Sequence, residues 1–593
     1  MDAYSARPSR CSVLRIGRQP LVAGLFSLGL ALTWFPPPAA SASAPLDQFC
    51  AHIVRDIAAP LPLHPIWASS GLQMQCFGPQ STRGNGTSNG SAFGSNVDAA
   101  NPKEDVTPSG VQVFGQSETS IASVGPYVVE AWNDATGLIA PCGSQMFKEE
   151  VTSYGFSADG GASFTDEGGL RNDNCTTSRL LGDPSVEAWQ PGGAAYFYVG
   201  SLYDFNGLSA VSVSACKASG SGATASIACG TPTNVATGAV NFDAFGVPTS
   251  IDFLDKPFMS IDPVRGRLYV SYTRFTFEFV GAVLSQIELA VCDIGTPSGG
   301  TTPSGGTAGT PVCFPGQSPV PYLVVAPPDP QGCENQGAYP GVDVTTGDVY
   351  VGWEFNWGTN LNNCTSQPTQ NRVAFVPFAC LTSTPVSPCV TTPSTRGVNV
   401  FSLAAANIPG YNRFPMQDFP RIAVSPPKGT VSIVWNDTRE HATGDIFLQS
   451  FALKSLTPVQ LTPVRVNPAP VLPEWHFMPA LRQADANGNL NVSYYEQRDT
   501  ATCTSCTDTF AVLNLSPLTM SSGDSVRVTN VTSNWVGTSS DVVPNFGDYT
   551  DNYVRATPGN PYNDCQLFVA WSDGRLSFPN PFEARLGSCA PAD

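Results

Sequence analysis

Histidine is scarce in this chain, 4 residues in 593, so a metal centre built on imidazoles is not expected. Charge is scarce too, at 13% of residues, and positive charge scarcer still, with 29 Lys+Arg against 47 Asp+Glu. The resulting net charge of −18 argues against nucleic acid or an anionic membrane as partner, because both attract basic surfaces. No apolar run after the first 44 residues approaches the ~20 residues that a membrane-spanning helix needs. Abundance lies elsewhere. Gly (55) and Pro (53) are plentiful and the hydrophobic content of 42% is ample for a core, a balance suited to a turn-rich β-protein.

Arg7, Arg10, Arg15 and Arg18 precede an apolar run from Leu21 to Phe35, and small residues follow from Ala40 to Ala44. The run is about 15 residues, short of a span, and the pattern is that of a cleaved secretory signal over 1–44. The protein is accordingly expected to be secreted, extracellular or periplasmic. Cysteine usage agrees with export. Of 17 Cys, Cys11 falls in the signal and 16 remain, an even number. Nearest-neighbour pairing gives Cys50/Cys76, Cys142/Cys175, Cys216/Cys229, Cys292/Cys313, Cys333/Cys364, Cys380/Cys389, Cys503/Cys506 and Cys565/Cys589. Cys503-Thr-Ser-Cys506 also has the spacing of a redox or zinc pair. Residues 45–80 form a short segment stapled by Cys50 and Cys76. A Gly/Ser/Asn-rich linker follows, so the main domain is expected over 111–593.

That domain repeats one pattern. DFPRIAVSPPKGTVSIVWNDTR, from Asp418 to Arg439, sets two short alternating apolar runs around a Pro/Gly turn, a β-hairpin signature. Versions recur from Glu118, Asp183, Asp255, Tyr339, Met478 and Asp548. Six of the copies end their second run on Trp132, Tyr272, Trp353, Trp435, Tyr494 or Trp571. Seven copies at roughly 60 to 80 residue spacing predict an all-β propeller, with six blades if one weak copy is decorative. Val-x-Val pairs (Val398/Val400, Val464/Val466, Val526/Val528) read as outer strands. The last repeat lacks one, and Val111–Phe114 is expected to supply it by pairing beside Phe582–Leu586, closing the ring. Residues 293–312, bracketed by Cys292 and Cys313, read as a low-complexity loop.

Three constellations carry candidate chemistry. Ser157-Ala-Asp159-Gly160-Gly161-Ala-Ser163-Phe164 fits S-x-D-x-G-x-[TS]-[WF]. An Asp there can accept from nearby backbone N–H groups, while the glycines permit positive φ and the aromatic packs beneath. Glu118, Asp183, Asp255, Asp418 and Asp548 open their repeats in one register, which would set carboxylates at similar height around one mouth. They form either an acidic funnel, fit for a cation such as Ca²⁺ or a general acid, or a set of loop caps and Arg partners. Arg439, Arg498 and Arg575 each stand two residues after an acid.

The S-x-D-x-G-x-[TS]-[WF] match, the hairpin repeat and the W-x-D-x-R endings resemble the sialidase-like Asp-box (BNR-repeat) propellers, over 111–588. The resemblance implies glycoside hydrolysis, or binding, of an extracellular glycan or glycoprotein by a monomer. It implies a three-Arg clamp on a substrate carboxylate, for which Arg439, Arg498 and Arg575 are the candidates; the alternative is a local acid–Arg brace in each loop. It also implies a Tyr nucleophile assisted by a Glu, with an Asp as acid/base. Tyr549 is the best-placed Tyr, with Asp548 and Asp255 as acids, and no Glu matches by spacing. The family's first-blade apolar-Arg-apolar-Pro motif is absent from Val111–Ile121; the nearest match is Asn412-Arg413-Phe414-Pro415. A non-catalytic glycan- or protein-binding scaffold is the competing reading, since fold alone does not choose.

Overall fold

The computed structural model describes residues 96–587 apart from short segments, the longer ones being 107–111, 140–149, 296–310, 315–322, 357–363, 382–393, 414–418 and 556–565. The chain is a seven-bladed β-propeller, seven antiparallel sheets of four to six strands. The inner strands of blades 1 to 7 are Gln116–Val124, Ser185–Trp189, Pro248–Asp262, Asn335–Val342, Arg421–Ser425, Glu474–Gln483 and Asp551–Val554. Each packs against the next, and the seventh against the first.

Blade 5 shows how the repeat builds a blade. Arg421–Ser425 and Thr430–Asp437 pair in register from Arg421↔Val434 to Ser425↔Thr430. Pro426–Lys428 form the tight turn between them, and Gly429 closes it at φ 64°, a left-handed conformation that glycine adopts without a Cβ penalty. The bulky residues that end the second strands face the packing between blades. Trp132, Trp353, Trp435 and Trp571 are at most 1% exposed. In blade 2 the equivalent position is Ser201, one residue past Gly200, which pairs with Ser185.

The ring closes as expected in kind, with a different strand. Val97–Asp98, within the stretch read as linker, pairs antiparallel with Phe582–Glu583 as the outer strand of blade 7. Ala99 N–H extends the ladder to Pro581 O at 2.9 Å. Of the expected closing strand, Val111–Phe114, Val111 lies outside the described residues, and Gln112, Val113 and Phe114 do not lie there. Phe114 N–H donates to Asp541 Oδ2 at 3.0 Å and Phe114 O accepts from Asp541 N–H at 2.6 Å, and its ring meets Phe578 at 5.0 Å. The Val-x-Val signal marks extended backbone but not its partner. Two residues suffice for closure because the adjoining Asp98 carboxylate also accepts from Ala100 N–H and Asn580 Nδ2.

Disulfides join Cys216–Cys229, Cys292–Cys313, Cys333–Cys364 and Cys503–Cys506, each as expected. The first two link directly opposed residues on paired strands, and Cys292–Cys313 holds the base of the low-complexity loop. The pairings of Cys50, Cys76, Cys142, Cys175, Cys389, Cys565 and Cys589 involve residues outside those described. Among the described residues, no helix is long and apolar enough to cross a membrane.

Candidate functional site: the axial mouth

Four of the seven inner strands enter the ring through an irregularity. The strand pairing slips between Ser117 and Ser120, Asp255 and Phe258, Gln336 and Tyr339, and Phe477 and Ala480. These are β-bulges, which re-aim a side chain at the cost of one unpaired residue. The bulged residue is left-handed each time: Glu118 (φ 57°), Lys256 (φ 54°), Gly337 (φ 68°) and Met478 (φ 49°), with Asp183 (φ 53°) in the same place in blade 2. A non-glycine residue held there costs about 1–2 kcal/mol, so the surrounding packing must enforce it.

This corrects the shared register of the acidic openers. Counting back from the first regular pair after the bulge, Glu118 and Asp183 stand two residues before Ser120 and Ser185. Asp255 stands three before Phe258, and Asp548 three before Asp551. Lys256 therefore occupies the place of Glu118. The axis receives acids from blades 1, 2 and 7 and a lysine from blade 3, where five equivalent acids were expected. Asp418 lies outside the described residues.

The charges converge in a sealed cluster. Lys256 Nζ lies 2.5 Å from Asp548 Oδ2, 3.0 Å from Asp183 Oδ2 and 3.5 Å from Glu118 Oε1. Arg413 Nη1 reaches Asp548 Oδ2 at 2.9 Å. All five side chains have 0% exposure. Asn133 donates to Glu118 Oε2 at 2.8 Å and accepts from Asp183 N–H at 2.7 Å. Burial, then the neighbouring Glu118 charge, pushes the Asp183 carboxyl well above its ordinary range. Burial also raises Glu118, with Lys256 opposing. For Lys256, burial favours the neutral amine, but Asp183, Asp548 and Glu118 outweigh it and keep the ammonium. Two cations, Lys256 and Arg413, thus face three carboxyls, two of which burial pushes toward the protonated form. A neutral set is what an interior tolerates.

Below the mouth, Arg421 sits among aromatic rings, its guanidinium 4.1 Å from the Phe258 centroid and 4.9 Å from those of Tyr339 and Tyr549. One turn of alternation further in, Arg482 Nη1 meets Glu187 Oε1 at 2.9 Å, and Ser120 donates to Asp551 Oδ2 at 2.7 Å. The remaining cavity at Phe419, Arg421, Met478, Asp548 and Tyr549 is about 10 Å³, the threshold for one water.

The other candidates fall as follows. Tyr549 is buried, and its hydroxyl donates to Pro184 O at 2.8 Å; burial first, then Glu118 and Asp183, pushes its phenol well above the ordinary range. Asp255 accepts from Gln336 Nε2 at 2.6 Å. The three arginines do not form a clamp, because each is held by an acid of its own blade. Asp437 accepts from Trp435 Nε1 (3.0 Å), Arg439 N–H (2.7 Å) and Arg439 Nη2 (2.6 Å). Asp573 repeats this with Trp571 (2.7 Å), Arg575 N–H (2.8 Å) and Arg575 Nη2 (2.6 Å). Arg498 bridges Glu496 and Asp508. The Ser157–Phe164 turn has Ser163 N–H and Oγ on Asp159 at 3.0 and 2.6 Å, with Gly161 N–H on Ser157 Oγ at 2.9 Å. It joins the third and fourth strands of blade 1.

Sequence reasoning passed over Lys256, Arg421 and Arg482, though a signal existed. Lys256 follows Asp255 directly, and Arg421 and Arg482 fall on the inward alternation of their strands. Arg413 was visible only as a motif fragment; its delivery to the axis by the Ile408–Arg413 segment, anchored by Tyr411 Oη on Gly547 O at 2.7 Å, is a tertiary fact.

The site thus belongs to a seven-bladed propeller with a closed, charge-balanced axial mouth. No protein-family model matches the chain and no curated protein matches it. Solved structures do. A Trypanosoma rangeli sialidase in complex with the inhibitor DANA is 13% identical, over 68% of this chain and 56% of that one, with a TM-score of 0.34. The chain thus spans about half the length of that sialidase. The Hadza microbial sialidase Hz136 is 12% identical over 74% of each chain at 0.34. An α-L-arabinofuranosidase from Lactobacillus brevis is 12% identical over 60% of this chain and 92% of that one at 0.28. No residue role is carried over from them.

Proposed function

We propose that this protein is a secreted binding propeller that engages an extracellular glycan or glycoprotein through its loops, and that it does not turn over a sugar in its axial funnel. The observation that carries this reading is the complete burial and internal neutralisation of the axial Glu118–Asp183–Lys256–Asp548–Arg413 cluster. A hydrolytic site needs carboxyls that reach substrate, and Tyr549 spends its hydroxyl on a backbone carbonyl. The braced arginines support the same reading.

Binding surface is available on the same face. In blade 3, Pro248–Leu254 precede the mouth register and pair out to Ser250↔Glu278, so the hairpin stands roughly 20 Å above the mouth at the usual rise of a strand. Arg274 stiffens it, bridging Glu288 (2.7 Å) and Asp252 (2.9 Å). At this end of the blade, the turn between Val240–Phe242 and Pro248–Asp262 exposes Phe242, Phe245 (92%) and Val247, a grouping of the kind that marks interaction sites.

The hydrolase reading keeps one observation, the Glu118–Asp183 carboxyl pair beside Tyr549. A fluorogenic sialoside and mixed glycoside panel on purified protein separates the two, with glycan-array binding in parallel. Binding without turnover is expected. Turnover that Asp548→Asn and Tyr549→Phe abolish would replace the binding reading with the enzymatic one.

A further inference from the structure

Two of the four histidines, though scarce, are brought together at the junction of blades 5 and 6. His476 lies on the inner strand of blade 6, directly opposite Glu496 on the second strand, and Glu474 stands two residues before it. Period-two alternation puts Glu474 and His476 on one face of the strand. One donor atom from each of Glu474, His476 and Glu496 lies within 4.8 Å of the others.

The contacts of His476 leave Nε2 directed at the carboxylates. Asn467 Nδ2 gives its two hydrogens to Asp445 Oδ1 and Pro468 O, both at 2.9 Å. His476 Nδ1 lies 3.4 Å from both Asn467 Nδ2 and Gly444 O, and with those amide hydrogens engaged it can donate to the carbonyl. A ring N–H held by a backbone carbonyl is the usual second support of a metal-bound histidine. The other nitrogen, Nε2, faces Glu496 Oε2 at 3.5 Å. A cation joins two such atoms, either a proton on the ring or a metal ion in its place. Arg498 holds the other Glu496 oxygen and so directs Oε2 at the ring. Glu474 is partly exposed, which gives an ion a path from solvent.

We propose that His476 Nε2, Glu496 Oε2 and a Glu474 oxygen bind a divalent transition ion of the zinc class, with water completing the shell. One imidazole and two carboxylates form a donor set that zinc accepts, and the same set suits manganese less well because of the imidazole. The neighbouring Glu440–His441–Asp445 group is a poorer site. Asp445 is already taken by His441 Nδ1 (2.7 Å) and Asn467, and Glu440 by Arg465.

The test is calorimetric titration of zinc chloride into the chelator-treated full-length protein, repeated with cobalt(II) to read its visible spectrum. One ion per chain is expected, with a cobalt spectrum showing nitrogen–oxygen ligation. Glu474→Gln, at a partly exposed position, is expected to weaken binding at least tenfold, and His476→Gln to abolish it if that variant folds. His441→Ala is expected to leave binding unchanged. No stoichiometric ion, or an ion that survives Glu474→Gln, overturns the assignment; loss in His441→Ala with retention in Glu474→Gln moves the ion to the neighbouring group and also overturns it.

Discussion

Lys256 illustrates how one side chain can set the state of several others. Three carboxyls gather on its ammonium, and all four side chains have 0% exposure. Lys256→Met removes the charge and keeps most of the volume, so the carboxyls must take up protons or stay charged and unpaired. Breaking a buried ion pair from one side costs about 3–5 kcal/mol, and Lys256→Met is expected to lose about that much in chemical denaturation. A loss under ~1 kcal/mol would mean that the cluster does not depend on a charged lysine. The lysine was legible as a residue but not as a partner. Its sequence neighbour Asp255 binds Gln336, whereas its own partners lie 138, 73 and 292 positions away.

At the scale of the strand, the bulge is the device that turns a repeat into a site. A shift of one residue sends a side chain to the opposite face, which is why Glu118 and Lys256 point to the axis while the expected alignment placed Asp255 there. The lead-in to blade 7 shows how tight the fit is. A Cβ on Gly547 would stand 2.2 Å from Glu118 Cγ, and the residue sits at φ +74°. Gly547→Ala therefore meets both a clash and a disfavoured backbone, and is expected to destabilise by about 1–3 kcal/mol in thermal or urea unfolding. An unchanged melting temperature would show that the mouth is looser than drawn. The hairpins themselves were readable, because alternation and a Pro/Gly turn are local properties; bulge placement was not, because it depends on which neighbour the strand must clear.

Closure of the whole ring brings unpaired acids together. Glu583 of blade 7 and Glu130 of blade 1 are fully buried, with no hydrogen bond to either carboxyl. Burial pushes Glu583 up to about 8, with Arg585 opposing. Burial and then Glu583 raise Glu130 well above its usual range, and burial raises Asp98 to about 7. The folded protein therefore holds protons that the unfolded chain releases near pH 4. Stability from these groups is fully present below that point and is lost as pH rises toward about 8. The melting temperature is expected to fall between pH 5 and 9, and Glu583→Gln to flatten the fall. A melting temperature that climbs over that range would contradict the protonated closure.

The sequence by itself determined the sheet type, the seven-fold repeat, closure of the ring by an N-terminal strand and the described disulfides, because each is written in short-range periodicity, turn chemistry and cysteine spacing. Tertiary structure alone decided which strand closes the ring, that the mouth is filled, and that Arg439, Arg498 and Arg575 stay with their own blades. The physical reason is convergence. A propeller brings seven strand entrances to one axis, so residues as distant as Glu118 and Asp548 share one hydrogen bond, and their charges are settled by neighbours that no local pattern names.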